Sequence, residues 1–197
     1  MKNLFKFSLV LGVALITMNV HASDVDFSLG VKKEQGKIIT FEFSETNKLD
    51  LSIVDSEGKM IHSENINSQK VINRTYDLNA LPEGTYYLVA ESEMKIARYK
   101  IAVVGASATL FDTAISEIYK PIFVDKNGLV AVSILNLDNS PVNIKIFDNE
   151  ENEVYNSAIL TDQNISKFFD VKNIKSEAYT FVMTYNNKTF TKTFSNK

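Results

Sequence analysis

Apolar residues recur at every second position through most of this chain, and the pattern is written twice. Val25, Phe27, Leu29 and Val31 alternate with polar residues, as do Ile39, Phe41 and Phe43, and then Leu49, Leu51 and Ile53. Ile72, Tyr76 and Leu78 follow with imperfect spacing, Tyr86 and Leu88 continue the series, and Ala97, Tyr99, Ile101 and Val103 close it. A period of two, rather than 3.6, sends successive side chains to opposite faces of a pleated strand. One buried face and one solvated face is the habit of antiparallel sheets.

An offset of 93 positions lays this series on a second one. It carries Leu51-Ser52-Ile53-Val54-Asp55 onto Ile144-Lys145-Ile146-Phe147-Asp148, and Tyr76-Asp77-Leu78 onto Phe169-Asp170-Val171. Tyr86, Val89 and Lys95 fall on Tyr179, Val182 and Lys188, and the register reads without a gap from residue 23 to residue 101. The expected inward positions of the second copy are Ile118, Ile122 and Val124, then Val132 and Ile134, then Val142, Ile144 and Ile146. Phe169 and Val171, Tyr179, Phe181 and Met183, and finally Phe190 and Phe194 complete them. A fixed internal period of this kind marks a duplicated structural unit.

Turn residues separate the runs. Asp55-Ser56-Glu57-Gly58-Lys59 and its counterpart from Asp148 close hairpins, and Asp125-Lys126-Asn127-Gly128 and Asn186-Asn187 make further turns. Asn, Asp and Gly tolerate the positive φ that tight turns need. Pro82 presets φ and Gly84 frees the peptide that leads into Tyr86. About seven short strands per copy, spaced some 8–12 residues apart, is the pattern of an immunoglobulin-like sandwich. Tyr86 and Tyr179 open the penultimate strand, where a tyrosine corner sits. The chain therefore reads as all-β: two tandem immunoglobulin/fibronectin-III-like antiparallel β-sandwiches after a signal peptide. The expected spans are 1–22 for the signal peptide, 23–104 for the first sandwich, 105–115 for a connector and 116–197 for the second. Leu110, Phe111 and Ile115 make the connector too apolar for a flexible linker, so it is expected to pack between the units as a short helical turn.

The leader is read from its charge and length. Lys2 and Lys6 precede an apolar run from Phe7 to Met18, and Val20-His21-Ala22 offers a small residue for cleavage before Ser23. That run is too short for the roughly 20 residues of a membrane span. No other run is long enough to span, so no transmembrane span is expected. Removal of the leader takes two lysines from the 21 Lys and Arg and none of the 24 Asp and Glu, leaving a mildly acidic chain. With no basic cluster, nucleic acid is not an expected partner. Cysteine is absent, which removes thiolate nucleophiles and thiolate metal ligands.

Residues 49–104 resemble the C-terminal sorting domains of the type IX (Por) secretion system. In that family an apolar run ends in Asp-x-x-Gly, an apolar-Pro-x-Gly-x-Tyr segment opens a later strand, and a last strand carries Lys. Here these are Ile53-Val54-Asp55-Ser56-Glu57-Gly58, Leu81-Pro82-Glu83-Gly84-Thr85-Tyr86 and Lys100-Ile101. The second copy keeps the pattern more weakly, with Glu151 and Glu177 at the places of Gly58 and Gly84. The resemblance implies the sandwich fold and an exported setting. Since the better match is the first copy, it implies sorting activity less directly.

Catalytic chemistry has few candidates. Once the leader is removed, His62 is the single histidine, and it sits in a hairpin strand rather than beside a nucleophile. Asp55, Glu57, Asp148 and Glu150 occupy turns, not the partly buried cleft that tunes a catalytic carboxylate. Asp148, Glu150, Glu151 and Glu153 bring oxygens together without an EF-hand spacing. Tyr87, Tyr155 and Tyr185 are the candidate binding aromatics; Tyr99 shares its face with core residues. The expectation is a non-catalytic exported interaction module that takes no cofactor or metal and binds a protein or cell-envelope component. A secretion-sorting domain and a carbohydrate-binding module, with a glycan as ligand, are the alternatives.

Overall fold

A computed structural model of the chain describes residues 26–44, 46, 48–68, 71–172 and 176–195. The signal peptide, Ser23 and Val25 lie outside the described residues. All regular structure among the described residues is strand, and every pairing is antiparallel.

The first unit sets two sheets face to face. One has the order β1-β2-β5, from Ser28–Gln35, Ile38–Ser44 and Ile72–Asp77. The other has the order β4-β3-β6-β7-β8, from Met60–Asn67, Lys48–Asp55, Gly84–Glu91, Lys95–Val104 and Ser107–Tyr119. Their inner faces meet in one core that includes Phe41, Phe43, Leu51, Leu88 and Tyr99. Edge-to-face ring pairs knit it, among them Phe27–Phe43 at 5.5 Å and Phe41–Tyr76 at 5.1 Å.

The second unit repeats the plan. Its three-stranded sheet has the order β9-β10-β13, from Ile122–Lys126, Leu129–Leu135 and Asn164–Asp170. Its four-stranded sheet has the order β12-β11-β14-β15, from Glu153–Asn156, Asn143–Phe147, Ala178–Tyr185 and Lys188–Ser195. The three-plus-four arrangement is that of the fibronectin type III sandwich. Apart from β8, strand maps to strand between the copies. Asp50 pairs with Glu91 and Asn143 with Thr184, the same β3–β6 register carried forward by 93 positions. The second core is thinner: Tyr99 is buried, while Lys192 at the matching position is exposed, and Phe181 fills the place of Leu88.

Three expectations need correction. First, the repeat is not gapless. Ile38–Ser44 matches Leu129–Leu135, an offset of 91, and two extra residues enter between β10 and β11. Buried Asn136 organises that insertion, donating to Ser140 O at 2.9 Å and accepting from Ser140 N at 3.0 Å. A slip of two keeps every side chain on its own face, so the alternation alone could not reveal it.

Second, Ile122 and Val124 point outward, 50% and 40% exposed, and Phe123 packs on the core instead. β1 carries a register shift between Val31 and Lys33, and β9 pairs without one. Losing one bulged residue exchanges the two faces of the strand.

Third, residues 105–115 form no helical turn. Gly105 and Ala106 close a hairpin and the rest belongs to β8, laddered on β7 from Val104↔Ser107 to Lys95↔Tyr119. The open edge of β7 offers backbone groups that a strand satisfies and a helix does not. Ala108 and Leu110 enter the first core, while Ile118, near the other end of the same strand, packs against the second.

Candidate functional site

Open grooves lie along the side of the first sandwich, between the two units, and beside the Asp148 turn of the second sandwich. The first groove, about 360 Å³, is lined by Ile53, Ile61, His62, Thr75, Tyr76, Asp77 and Leu81, among others. It runs along the seam where β4, the edge of one sheet, meets β5, the edge of the other. Glu64 on β4 closes that seam, accepting from the Tyr76 hydroxyl at 2.6 Å and from Arg74 Nε at 2.8 Å. Burial pushes the Glu64 carboxyl up, but the hydrogen bonds of Tyr76 and Arg74 and the charges of Arg74 and His62 outweigh it. The net result is a carboxyl below the usual range. Burial, and then the bond to Glu64, raises the Tyr76 phenol.

His62 is exposed on this seam and stands edge-on to Tyr76, ring centroids 5.4 Å apart. Both Glu64 oxygens are engaged, and the neighbouring Thr75 hydroxyl is shared with Thr40 at 2.9 Å. A triad needs a nucleophile bonded to the imidazole and a third group orienting it, and the bonds here run elsewhere. The second copy clarifies the role of the ring pair. At the matching positions Tyr155 meets Phe169 at 5.1 Å and 73°, against 75° for His62 and Tyr76. The edge-on ring pair persists where a phenol replaces the imidazole, as befits a strut between sheet edges.

The turn residues define two further constellations. Asp55 Oδ1 accepts from the amides of Glu57 and Lys59, both at 2.9 Å, and Gly58 completes the turn at φ 86°. Asp148 Oδ1 does the same for Glu150 and Asn152, with Glu151 at φ 63°. Hydrogen bonds from the Asn152 side chain and amide, with that of Glu150, hold the Asp148 carboxyl below its usual range. Glu153 turns away to Lys145 at 2.7 Å. No group of three or more His, Cys, Asp or Glu converges on a metal-sized site among the described residues. At the head of β6, the Tyr86 hydroxyl donates to Pro82 O at 3.0 Å, and Gly84 holds a positive φ of 157° that side chains rarely adopt. At the head of β14, the Tyr179 hydroxyl donates to Ser176 O at 3.2 Å. Both rings are buried.

The three candidate binding aromatics do not form a platform. Tyr185 is 2% exposed and part of the second core, against Phe190 at 5.3 Å, which corrects the expectation of a surface ring. It ends a strand whose alternation continues Tyr179, Phe181 and Met183 inward. Tyr87 is half-buried under the Arg98 guanidinium, 3.6 Å from its ring centre. Tyr155 is 40% exposed but is the seam ring just described.

The repeat gave no sign of how differently its two lysines are placed. Lys95 is 5% exposed, bonded to Glu117 at 2.9 Å and set 4.5 Å above the Phe27 ring, while Lys188 is exposed. Glu117 and the nearby Tyr119 belong to β8, which has no counterpart beside β15 among the described residues. Two grooves open between the units, of about 510 and 600 Å³. One lies against Ile115, Ile118 and Asn186, the other against Met94, Pro121 and Phe190.

Residues 35–104, spanning β2 to β7, match a family model described as the secretion system C-terminal sorting domain. The first sandwich thus resembles a secretion sorting domain. The sorting-domain match takes in both the Asp55–Gly58 turn and the Pro82–Tyr86 strand entry. Among solved structures, a biofilm-associated protein BSP domain is 16% identical with a TM-score of 0.29, over 84% of this chain and 29% of that one. The NIE-MG1 span of Escherichia coli α-2-macroglobulin is 14% identical at 0.26, over 88% and 99% of the two chains. The FN1–FN3 domains of chicken CNTN1 are 10% identical at 0.28, over 86% and 68%. This chain thus spans less than a third of the length of the first of these. No curated protein matches it. No helix among the described residues is long and apolar enough to cross a membrane.

Proposed function

We propose that the chain is an exported, non-catalytic interaction module whose first sandwich docks on a protein of the secretion machinery or of the cell surface. The observation that carries this reading is the sorting-domain match over residues 35–104. It supports a secreted or surface-exposed protein; the periplasm, the cell surface and the medium are all compatible final addresses. The working units are the two sandwiches, the first ending with β8 at Tyr119 and the second beginning at Ile122. Recognition by such a unit rests on sheet faces and turns, with no cofactor.

Joining the chain behind a periplasmic reporter, in a strain that carries the secretion system, tests the sorting role. The reporter is expected at the surface or in the medium. A folded reporter retained in the periplasm removes sorting and leaves surface binding, which crosslinking and recovery of a partner then address. A carbohydrate-binding role is less favoured, because Tyr185 is in the core and Tyr87 is capped by Arg98.

A further inference from the structure

The outer face of the three-stranded sheet differs between the two units, although the strands correspond. In the first unit the central row reads Lys33–Thr40–Thr75 across β1, β2 and β5. In the second unit the same row reads Val124–Ala131–Phe168 across β9, β10 and β13. Phe168 is 67% exposed, and Ile122 and Leu129 extend the apolar surface to either side. Scattered apolar residues need no account, but a row that turns from polar to apolar on a duplicated scaffold does.

The next row carries charge: Lys126–Leu129–Asp170, with Lys126 and Asp170 on opposite sides of Leu129. Strands lie about 4.8 Å apart, so the backbones of these two residues are roughly 10 Å from one another with Leu129 between them, and the Asp170 carboxylate accepts from the Lys172 amide at 3.1 Å rather than from Lys126. A two-fold axis running along β10 resolves the arrangement. It sets Lys126 of one copy over Asp170 of the other, and Val124 over Phe168. Ala131 meets Ala131 on the axis, and its small side chain leaves room for the Phe168 rings. An isologous contact requires a surface complementary to itself, and this grid is complementary in charge and in size.

We propose that this face is where two copies of the chain associate, sheet against sheet, with β10 on the two-fold axis. The inference does not depend on the proposed sorting role. Strands of five, seven and seven residues cover only roughly 300 Å², against about 800 Å² per partner in a standard interface. The dimer is therefore weak and reversible, with a dissociation constant in the micromolar range or above.

Sedimentation equilibrium of the chain recovered after export, over a wide concentration range, tests this. A concentration-dependent monomer–dimer equilibrium is expected. Phe168→Asp should weaken it more than about tenfold while leaving the thermal melt unchanged, since the ring touches no core. Lys126→Asp and Asp170→Lys should each weaken it by about tenfold or more, because like charges then face each other twice. The double reversal should return the constant to within about threefold of the original. Thr75→Asp, on the matching face of the first unit, should change nothing. A monomer at every concentration, a dimer indifferent to Phe168→Asp, or singles that the double reversal fails to rescue would each overturn the proposal. So would a monomer that captures a different protein through this face.

Discussion

Glu151 stands where the first copy has Gly58, in the same five-residue turn and with the same Asp carboxylate bonded to two amides. Its φ of 63° is left-handed, where a Cβ costs about 1–2 kcal/mol. Glycine recovers that strain but adds about 0.5–1 kcal/mol of unfolded-state freedom. Glu151→Gly should therefore stabilise the second unit by about 0.5–1 kcal/mol in urea unfolding, and a loss of stability would show that the turn is not strained. Glu64 makes a prediction in pH. Its folded carboxyl titrates below the ordinary value of 4.5, so its stabilisation is complete above that value and is lost as pH falls through the folded one. Acid titration of the urea midpoint should show that loss in the parent, and the slope below pH 4.5 should flatten in Glu64→Gln. A slope unchanged by the substitution would assign the acid sensitivity to other carboxylates.

β8 is the element that departs from the duplicated plan. Its first half closes the first sandwich: Ala108 N donates to Gly36 O at 2.9 Å and Leu110 N to Glu34 Oε1 at 2.8 Å. Leu110 is 4% exposed, so Leu110→Ala should cost about 2–4 kcal/mol, read as a shift of the first unit's unfolding midpoint. A cost below about 1 kcal/mol would mean that the strand is only laid against the core. β9 teaches the complementary lesson. Loss of the single residue that bulges from β1 turns Ile122 and Val124 to solvent, and that exchange produced the apolar face on which the proposed dimer rests.

At the scale of the molecule, no sheet among the described residues includes strands of both units, and open grooves separate them beside the Ile118 contact. Each unit has its own core, and that of the second is the smaller. Calorimetry should therefore resolve two transitions, the second unit melting first. Phe181→Ala should lower that first transition and leave the other in place, whereas a single transition that moves as one would show that β8 fuses the cores.

The strand pattern, the duplication and the turn positions were legible in the residues, because alternation and turn chemistry are local requirements that each segment meets alone. Asp55, Asp148, Tyr86 and Tyr179 could be placed at turns and strand entries from their neighbours in the chain. The insertion around Asn136, the reversed facing of β9, the burial of Lys95 and Tyr185 and the strand at residues 107–119 could not. Each depends on a partner distant in the chain: an unsatisfied sheet edge, a bulge present in one hairpin and missing from its copy, a covering strand present on one side only. Alternation says that a strand has two faces, but which of them meets the core is decided by pairing register, and register exists only once the sheets are assembled.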